Sequence, residues 1–314
     1  MRIIFAGTPE FAVPSLRALV ARGHEVAGVI TREDAPLGRK RVLTPSPVAD
    51  AAAELGLPVL KANKLDDAAL AWARDLQADL GVIVAYGGLV REPLLSEPTH
   101  GWINLHFSDL PRWRGAAPVQ RALAAGEQTL SVTAFRLVAA LDAGDVLSRD
   151  THDFAPGTTA GAALTTLSEF GTGALMAAID AIAADPAAGE PQVGETSYAH
   201  KLTREDGKLD LTTPTSAVLA QWAGMTPEPG AYALHEDAAL KLHELRPLAQ
   251  PADTDDAAGA AVAVAPGTVT LVGGTVVLQL CDGTLELVRV QPAGKPAMAA
   301  ADWLRGRGGN TVIS

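Results

Sequence analysis

The chain has almost no cysteine, no surplus of positive charge, no long uncharged apolar run and no internal repeat, and each lack removes a class of protein. One cysteine, Cys281, stands in 314 residues. Neither an intrachain disulfide framework nor a cysteine metal site can form, and a reduced, cytosolic compartment fits. The remaining histidines outside the motif below, at 24, 100, 152, 200, 235 and 243, are scattered without ligand spacing, so no metal is expected. Acidic residues outnumber basic ones by 36 to 25, for a formal net charge of −11. A nucleic-acid binder is ordinarily basic, so only a local basic patch would support that role. The N-terminal apolar run ends at Ala6, too short for a signal peptide. The Ala-rich stretch 170–184 is short and contains Asp180, so it does not read as a membrane span. A soluble cytoplasmic protein with no membrane partner is the expectation. The turn Gly7-Thr8-Pro9-Glu10-Phe11-Ala12 lacks the later glycines of a dinucleotide phosphate turn, which excludes a nucleotide-dependent oxidoreductase.

What is present reads as two domains. The length suits two, and an apolar content of 48% argues for buried cores rather than disorder. Over the first 185 residues, strand-like and helix-like segments alternate. Strands are expected at 2–6, 25–30, 59–60, 80–85, 102–106 and 130–137, with helices at 10–22, 48–55, 66–76 and 117–125. The uncharged β-branched run 80–85 is typical of a central parallel strand. Such alternation predicts an α/β domain over 1–188: a doubly wound, mostly parallel, Rossmann-like sheet with helices on both faces. Ligands bind such sheets at the carboxyl ends of the strands. Asp185-Pro186 and Gly189-Glu190-Pro191 then punctuate the chain, and 189–205 reads as a linker. From 206 to 314 a helix at 215–223 is followed by five short strands, joined by turns such as Gly273-Gly274 and Asp282-Gly283. That pattern predicts a small OB-like β-barrel. Residues 250–266 look like an Ala-rich insert whose acidic part, 252–256, is a solvated loop.

The most informative stretch runs from Gly101 to Pro118. Asn104 and His106 are two apart, so on an extended strand they share a face, near that strand's carboxyl end. Ile103 and Leu105 point the other way. An amide N–H and an imidazole N–H aimed at one spot stabilise the oxyanion that forms when a carbonyl becomes tetrahedral. Asp142, within Leu141-Asp142-Ala143-Gly144-Asp145, follows the next expected strand and reaches for the same edge, while Asp145 reads as a turn residue. A lone strand histidine is more often structural, and Asn-x-His by itself is a weak signal. Asn-x-His, Leu-Pro, Arg-Gly-Ala-Ala-Pro and Asp-x-Gly-Asp in that order are a stronger one. The long segment 31–47 carries Arg39-Lys40-Arg41, three adjacent cations suited to phosphates. A solvated charged loop is an equal reading of those cations by charge alone.

The run Asn104–Pro118 followed by Leu-Asp-Ala-Gly-Asp resembles the signature of the folate-dependent formyltransferases. The resemblance implies Asn104, His106 and Asp142 as catalytic residues. It also implies a folate segment at Ser108, Asp109, Leu110 and Pro111, where the family has Ser-Leu-Leu-Pro and Asp109 is a departure. More softly, Tyr86 and Gly87 resemble the loop beside the pterin. Several stretches are similar to the branch whose acceptor is methionyl-tRNA: the opening Phe-Ala-Gly-Thr-Pro-Glu-Phe-Ala, the run Pro111–Gln120, the loop 31–47 with Arg39, Lys40 and Arg41, the junction Lys201–Gly207, and Gly294-Lys295-Pro-Ala-Met298. Leu211, where that branch usually has Trp, is a second departure. The resemblance implies transfer of the formyl group of 10-formyltetrahydrofolate to methionyl-initiator tRNA by a catalytic domain over 1–188, with no covalent intermediate and no metal. A monomer suffices for that chemistry. An amino-sugar formyltransferase shares the catalytic edge, but the basic loop and the Arg-Gly-Ala-Ala-Pro run argue against it. A purine-pathway formyltransferase needs no second β-domain, and a non-catalytic RNA-binding protein would not need Asn104, His106 and Asp142 together.

Overall fold

The computed structural model describes residues 1–38, 40–248 and 265–314. Arg39, the acidic run 252–256 and most of the Ala-rich stretch lie outside the described residues. The chain divides into two compact units. One comprises residues 1–118, 129–152 and 164–200; the other comprises 119–128, 153–163 and 201–314.

The first unit is built on β1 (Arg2–Gly7), α1 (Val13–Ala21), β2 (Glu25–Thr31), β3 (Ala35–Leu37), β4 (Val42–Thr44), α2 (Pro47–Glu54), β5 (Val59–Lys61), α3 (Asp67–Asp75), β6 (Leu80–Val84), β7 (Trp102–His106) and β8 (Arg114–Gly115). There follow α4 (Pro118–Ala124), β9 (Thr129–Arg136), β10 (Val146–Asp153), α5 (Ala160–Ala184) and β11 (Tyr198–Ala199). Helices α4 and α5 each contribute residues to both units. The main sheet has the order β10-β9-β7-β6-β1-β2-β5. Strands β5, β2, β1, β6 and β7 are parallel, and the nearly unbroken burial of β1, β2 and β6 shows both faces covered. On one face Ile4, Ala6, Ile30, Ile83 and Trp102 cluster with Leu70, Trp72 and Ala73 of α3. On the other, Gly171 of α5 lies against Leu105 and Val132. Capping starts the helices where the sequence offers it. The Ser46 hydroxyl accepts from Ala49 N at 3.0 Å ahead of Pro47, and the Asp66 carboxylate accepts from Ala68 N and Ala69 N at 3.1 Å.

Three features differ from expectation. Strand β9 pairs antiparallel with β7, so it does not end at the edge where β7 ends. The segment 31–47, expected as a loop, contains paired strands: β3 and β4 form a short antiparallel hairpin. A buried hydrogen bond of 2.6 Å between the hydroxyls of Thr31 and Ser46 ties its two roots. Helix α5 has 25 residues, beginning well before 170, and matches a membrane span in length and hydropathy. Its Leu167, Leu175, Ile179 and Ile182 are buried, which is the pattern of a core helix.

The second unit carries α6 (Thr215–Gly224), β12 (Tyr232–His235), β13 (Ala238–Pro247), β14 (Thr268–Val272), β15 (Thr275–Gln279), β16 (Thr284–Pro292), β17 (Met298–Ala299), α7 (Ala300–Arg305) and β18 (Asn310–Val312). The antiparallel order is β12-β13-β16-β15-β14-β18, with β17 on β16. The two edges meet: Ser314 N donates to Leu234 O at 2.8 Å and Leu234 N donates to Ser314 O at 2.5 Å. Those two bonds bring the ends of the strand order together, as in a small barrel. Alternation along β13 and β16 sends Leu240, Leu242, Leu285 and Leu287 inward, where they meet Trp222 and Trp303. Leu211 belongs to the same core, so its departure from the resembled pattern is a matter of packing.

Gly81 on β6 faces the indole of Trp102 on β7, and a methyl there would overlap the ring. The indole cannot swing freely, because its Nε1 donates to Leu94 O at 2.9 Å and the ring is buried. Gly81→Ala is therefore expected to destabilise the first unit by about 1–3 kcal/mol, measured as a shift of the urea midpoint.

Candidate active site

Strand β7 delivers Asn104 and His106 onto one face, paired opposite Phe135 and Thr133 of β9. The Asn104 side chain is half-buried, and among the described residues its carboxamide makes no hydrogen bond. A half-buried amide held on a rigid strand with unused donors is a ready hydrogen-bonding group for a ligand. His106 is buried beside the edge of Phe135, with ring centroids 6.3 Å apart. Its Nε2 lies 3.0 Å from the carbonyl oxygen of Trp113. A carbonyl can only accept, so Nε2 carries the hydrogen and a neutral ring presents Nδ1 as acceptor.

The loop after β7 is held by its own side chains. The Ser108 hydroxyl donates to Arg112 O at 2.8 Å, and buried Thr133 Oγ1 donates to Ser108 O at 2.7 Å. Leu110-Pro111 is a cis peptide. Asp109, the departure in this segment, forms an ion pair of 2.9 Å with Arg149, and a second Arg149 nitrogen donates to Leu110 O. Ser108, Leu110 and Pro111 are buried, so backbone groups and their immediate surroundings are what this segment offers a ligand.

Asp142 arrives differently from expectation. With β9 antiparallel, the strand-end rule does not bring Asp142 to the edge; hydrogen bonds do. Asp142 is buried, in a left-handed conformation with φ of 45°. Its Oδ2 accepts from Gly115 N at 2.8 Å. Gln192 Nε2 donates to both Asp142 O and Gly144 O at 2.9 Å. Gly144 admits no Cβ, because a methyl there would overlap Arg136 O. His106 and Asp142 are thereby fastened to the same short segment, Trp113–Gly115. No hydrogen bond joins the two directly among the described residues.

Tyr86 is a buried core group. Its hydroxyl donates to Ala62 O at 2.6 Å, its carbonyl accepts from Thr8 Oγ1 at 2.9 Å, and burial pushes the phenol above its ordinary pKa. In its loop Ala85 and Gly87 both take positive φ, and Gly87 is exposed. Arg32, at the root of the β3–β4 hairpin, donates to Gly87 O at 2.8 Å, so hairpin and loop adjoin. Lys40 and Arg41 are exposed at the hairpin tip between exposed Leu37, Val42 and Leu43; Arg39 lies outside the described residues. No group of three metal-ligating side chains occurs among the described residues.

Sequence reasoning missed the residues of 189–200, which it took for linker. Tyr198–Ala199 pairs in parallel with Arg114–Gly115, Ser197 Oγ accepts from Trp113 N at 2.9 Å, and Gln192 bridges Arg114 to the Asp142 loop. Prolines and glycines marked this stretch as connection, and nothing in the residues themselves advertised their partners.

Residues 1–179 match the family model described as formyl transferase, and 201–308 match the formyl transferase C-terminal domain. A methionyl-tRNA formyltransferase of Leifsonia xyli subsp. xyli is 53% identical over the whole of both chains. One of Clavibacter sepedonicus is 50% identical, again over the whole of both. Among solved structures, an N-formyltransferase from Helicobacter canadensis in complex with folinic acid and dTDP-3-aminofucose superposes with a TM-score of 0.68. It is 14% identical and covers 93% of this chain and 99% of its own, which is a likeness of fold.

Thr133→Val keeps the shape of this buried side chain but leaves Ser108 O without its donor. We expect a loss of about 1–3 kcal/mol, measured by chemical denaturation; an unchanged midpoint would remove Thr133 from the support of the loop.

Proposed function

The chain belongs to the formyl transferase family, and on that premise we propose that it carries the formyl group from N10 of 10-formyltetrahydrofolate to the free amino group of methionyl-initiator tRNA. The product is N-formylmethionyl-tRNA for translation initiation. The observation that carries the site assignment is the unpartnered Asn104 carboxamide beside His106, on a segment that also holds Asp142.

The unprotonated amine attacks the formyl carbon, and the carbonyl electron pair moves onto oxygen. The Asn104 amide donates to that oxyanion, an interaction of about 3–4 kcal/mol when such a donor is removed elsewhere. His106 joins it as a second donor, either as imidazolium or by turning Nε2–H away from Trp113 O. Collapse restores the carbonyl and breaks the bond to N10, which leaves with the electron pair and takes a proton. Asp142, with Oδ2 bound to Gly115 N, keeps Oδ1 to receive the amine proton and pass it on through water. Ser108, Asp109, Leu110 and Pro111, with the backbone at Tyr86 and Gly87, would border the folate. No metal enters this scheme. Lys40 and Arg41, on the hairpin that adjoins the Gly87 loop, and Arg39, which precedes them in the sequence, would meet acceptor-stem phosphates, which reconciles a net charge of −11 with a nucleic-acid substrate. One copy of the chain contains every residue this scheme uses, and both substrates are cytoplasmic.

The test mixes the protein and 10-formyltetrahydrofolate with methionyl initiator tRNA, methionyl elongator tRNA or an amino-sugar nucleotide. Formylation of initiator tRNA alone is expected. Asn104→Ala should lower kcat by about 10²–10³-fold, and His106→Ala should abolish transfer. Transfer to the amino sugar and to neither tRNA would move the acceptor assignment to the sugar reading.

A further inference from the structure

Gln192 occupies a position that only a side-chain amide can fill. Its Oε1 accepts from the Arg114 guanidinium, at 2.6 Å from one terminal nitrogen and 3.2 Å from Nε. Its Nε2 donates to the carbonyls of Asp142 and Gly144, at 2.9 Å each. Arginine has donors only, and a backbone carbonyl is an acceptor only. The bridge therefore needs one group with an acceptor at one end and two N–H donors at the other. The guanidinium also settles the amide's orientation, since a flipped amide would point N–H groups at it.

The two ends of this bridge matter because of what else they hold. Arg114 follows Trp113, whose carbonyl fixes His106, and precedes Gly115, whose N–H binds the Asp142 carboxylate. Asp142 sits at φ of 45°, a conformation that an aspartate keeps only where its surroundings hold it. The bond from Gln192 to Asp142 O pins the backbone of that residue. The bond to Gly144 O, on the far side of Ala143, stops the loop from pivoting about it. A carboxylate tied by one N–H and a backbone tied by one amide are fixed in both position and direction.

We infer that Gln192 is a positioning residue for the reaction: it holds Asp142 in register with His106 without touching either substrate. This rests on the proposed function for its kinetic consequence, but its structural content does not. Gln192→Glu keeps an acceptor for Arg114, and gains an ion pair there, while turning a second acceptor oxygen onto the two carbonyls. Gln192→Met keeps the length and loses both ends. In both variants, folded as judged by an unchanged thermal midpoint, kcat for formylation should fall by about 10–100-fold, the cost of slight misplacement of a catalytic group. The KM values for 10-formyltetrahydrofolate and for methionyl-tRNA should stay unchanged. The Gly115 amide, followed by hydrogen exchange in the unliganded protein, should exchange faster as its carboxylate partner loosens. A folded Gln192→Glu protein with wild-type kcat and a still-protected Gly115 amide would overturn the inference. So would a loss of activity that merely tracks a loss of folded protein. If the wild type formylates no tRNA, the proposed function fails, and Gly115 exchange in Gln192→Glu still decides whether Gln192 positions Asp142.

Discussion

The hydrogen bond from Gly115 N to the Asp142 carboxylate is the constraint on which the candidate site depends. Gly115 lies in the short strand β8 and Asp142 in the loop after β9, and no single secondary-structure element carries them together. Its formation requires Gly115 to take a positive φ of 121°, with Ala199 O too close for a side chain there, and Asp142 to take a left-handed turn. The pairing of β8 with β11 fixes the first condition, and Gln192 fixes the second. Catalytic groups on strands gain their precision from the sheet; this carboxylate, on a loop, gains it from a chain of polar contacts that ends in a segment far along the sequence.

Much of the first unit was legible because periodicity and punctuation report local structure. The run Trp102–His106, the helix start at Asp66 and the buried strand Leu80–Val84 all follow from patterns within a few residues. The placement of Asn104 and His106 on one face follows from strand geometry alone. The sense of β9 was not legible, because an alternating run such as Leu130–Phe135 suits either direction. The β3–β4 hairpin was hidden by exposed apolar residues, which gave its two short strands no buried face to mark them. Gln192 and Ser197 were hidden for another reason. Their partners lie 50 and 84 residues away, and a polar residue among prolines and glycines carries no sign of a distant partner.

The overall charge misleads in the same way. A net charge of −11 is a property of the whole surface, whereas a phosphate meets only what lies within about 10 Å of it. The acidic balance of the chain and the cations at the hairpin tip therefore answer different questions. The single cysteine illustrates the opposite case: Cys281 is exposed, donating to Thr213 O at 3.3 Å in the barrel unit, and the chemistry of the first unit has no need of it.

The buried bond between Thr31 and Ser46 gives the hairpin above it a particular independence. The chain leaves the sheet at Thr31 and is gathered again fifteen residues later at Ser46, across 2.6 Å, before α2 begins. Whatever the intervening residues do, strand and helix receive the same geometry at that neck. An excursion clamped at its base is a module: its length, charge and tip can be exchanged while the frame beneath keeps its register. On the proposed function, recognition of the acceptor can then change by rewriting a loop while the reaction keeps β7 as it is.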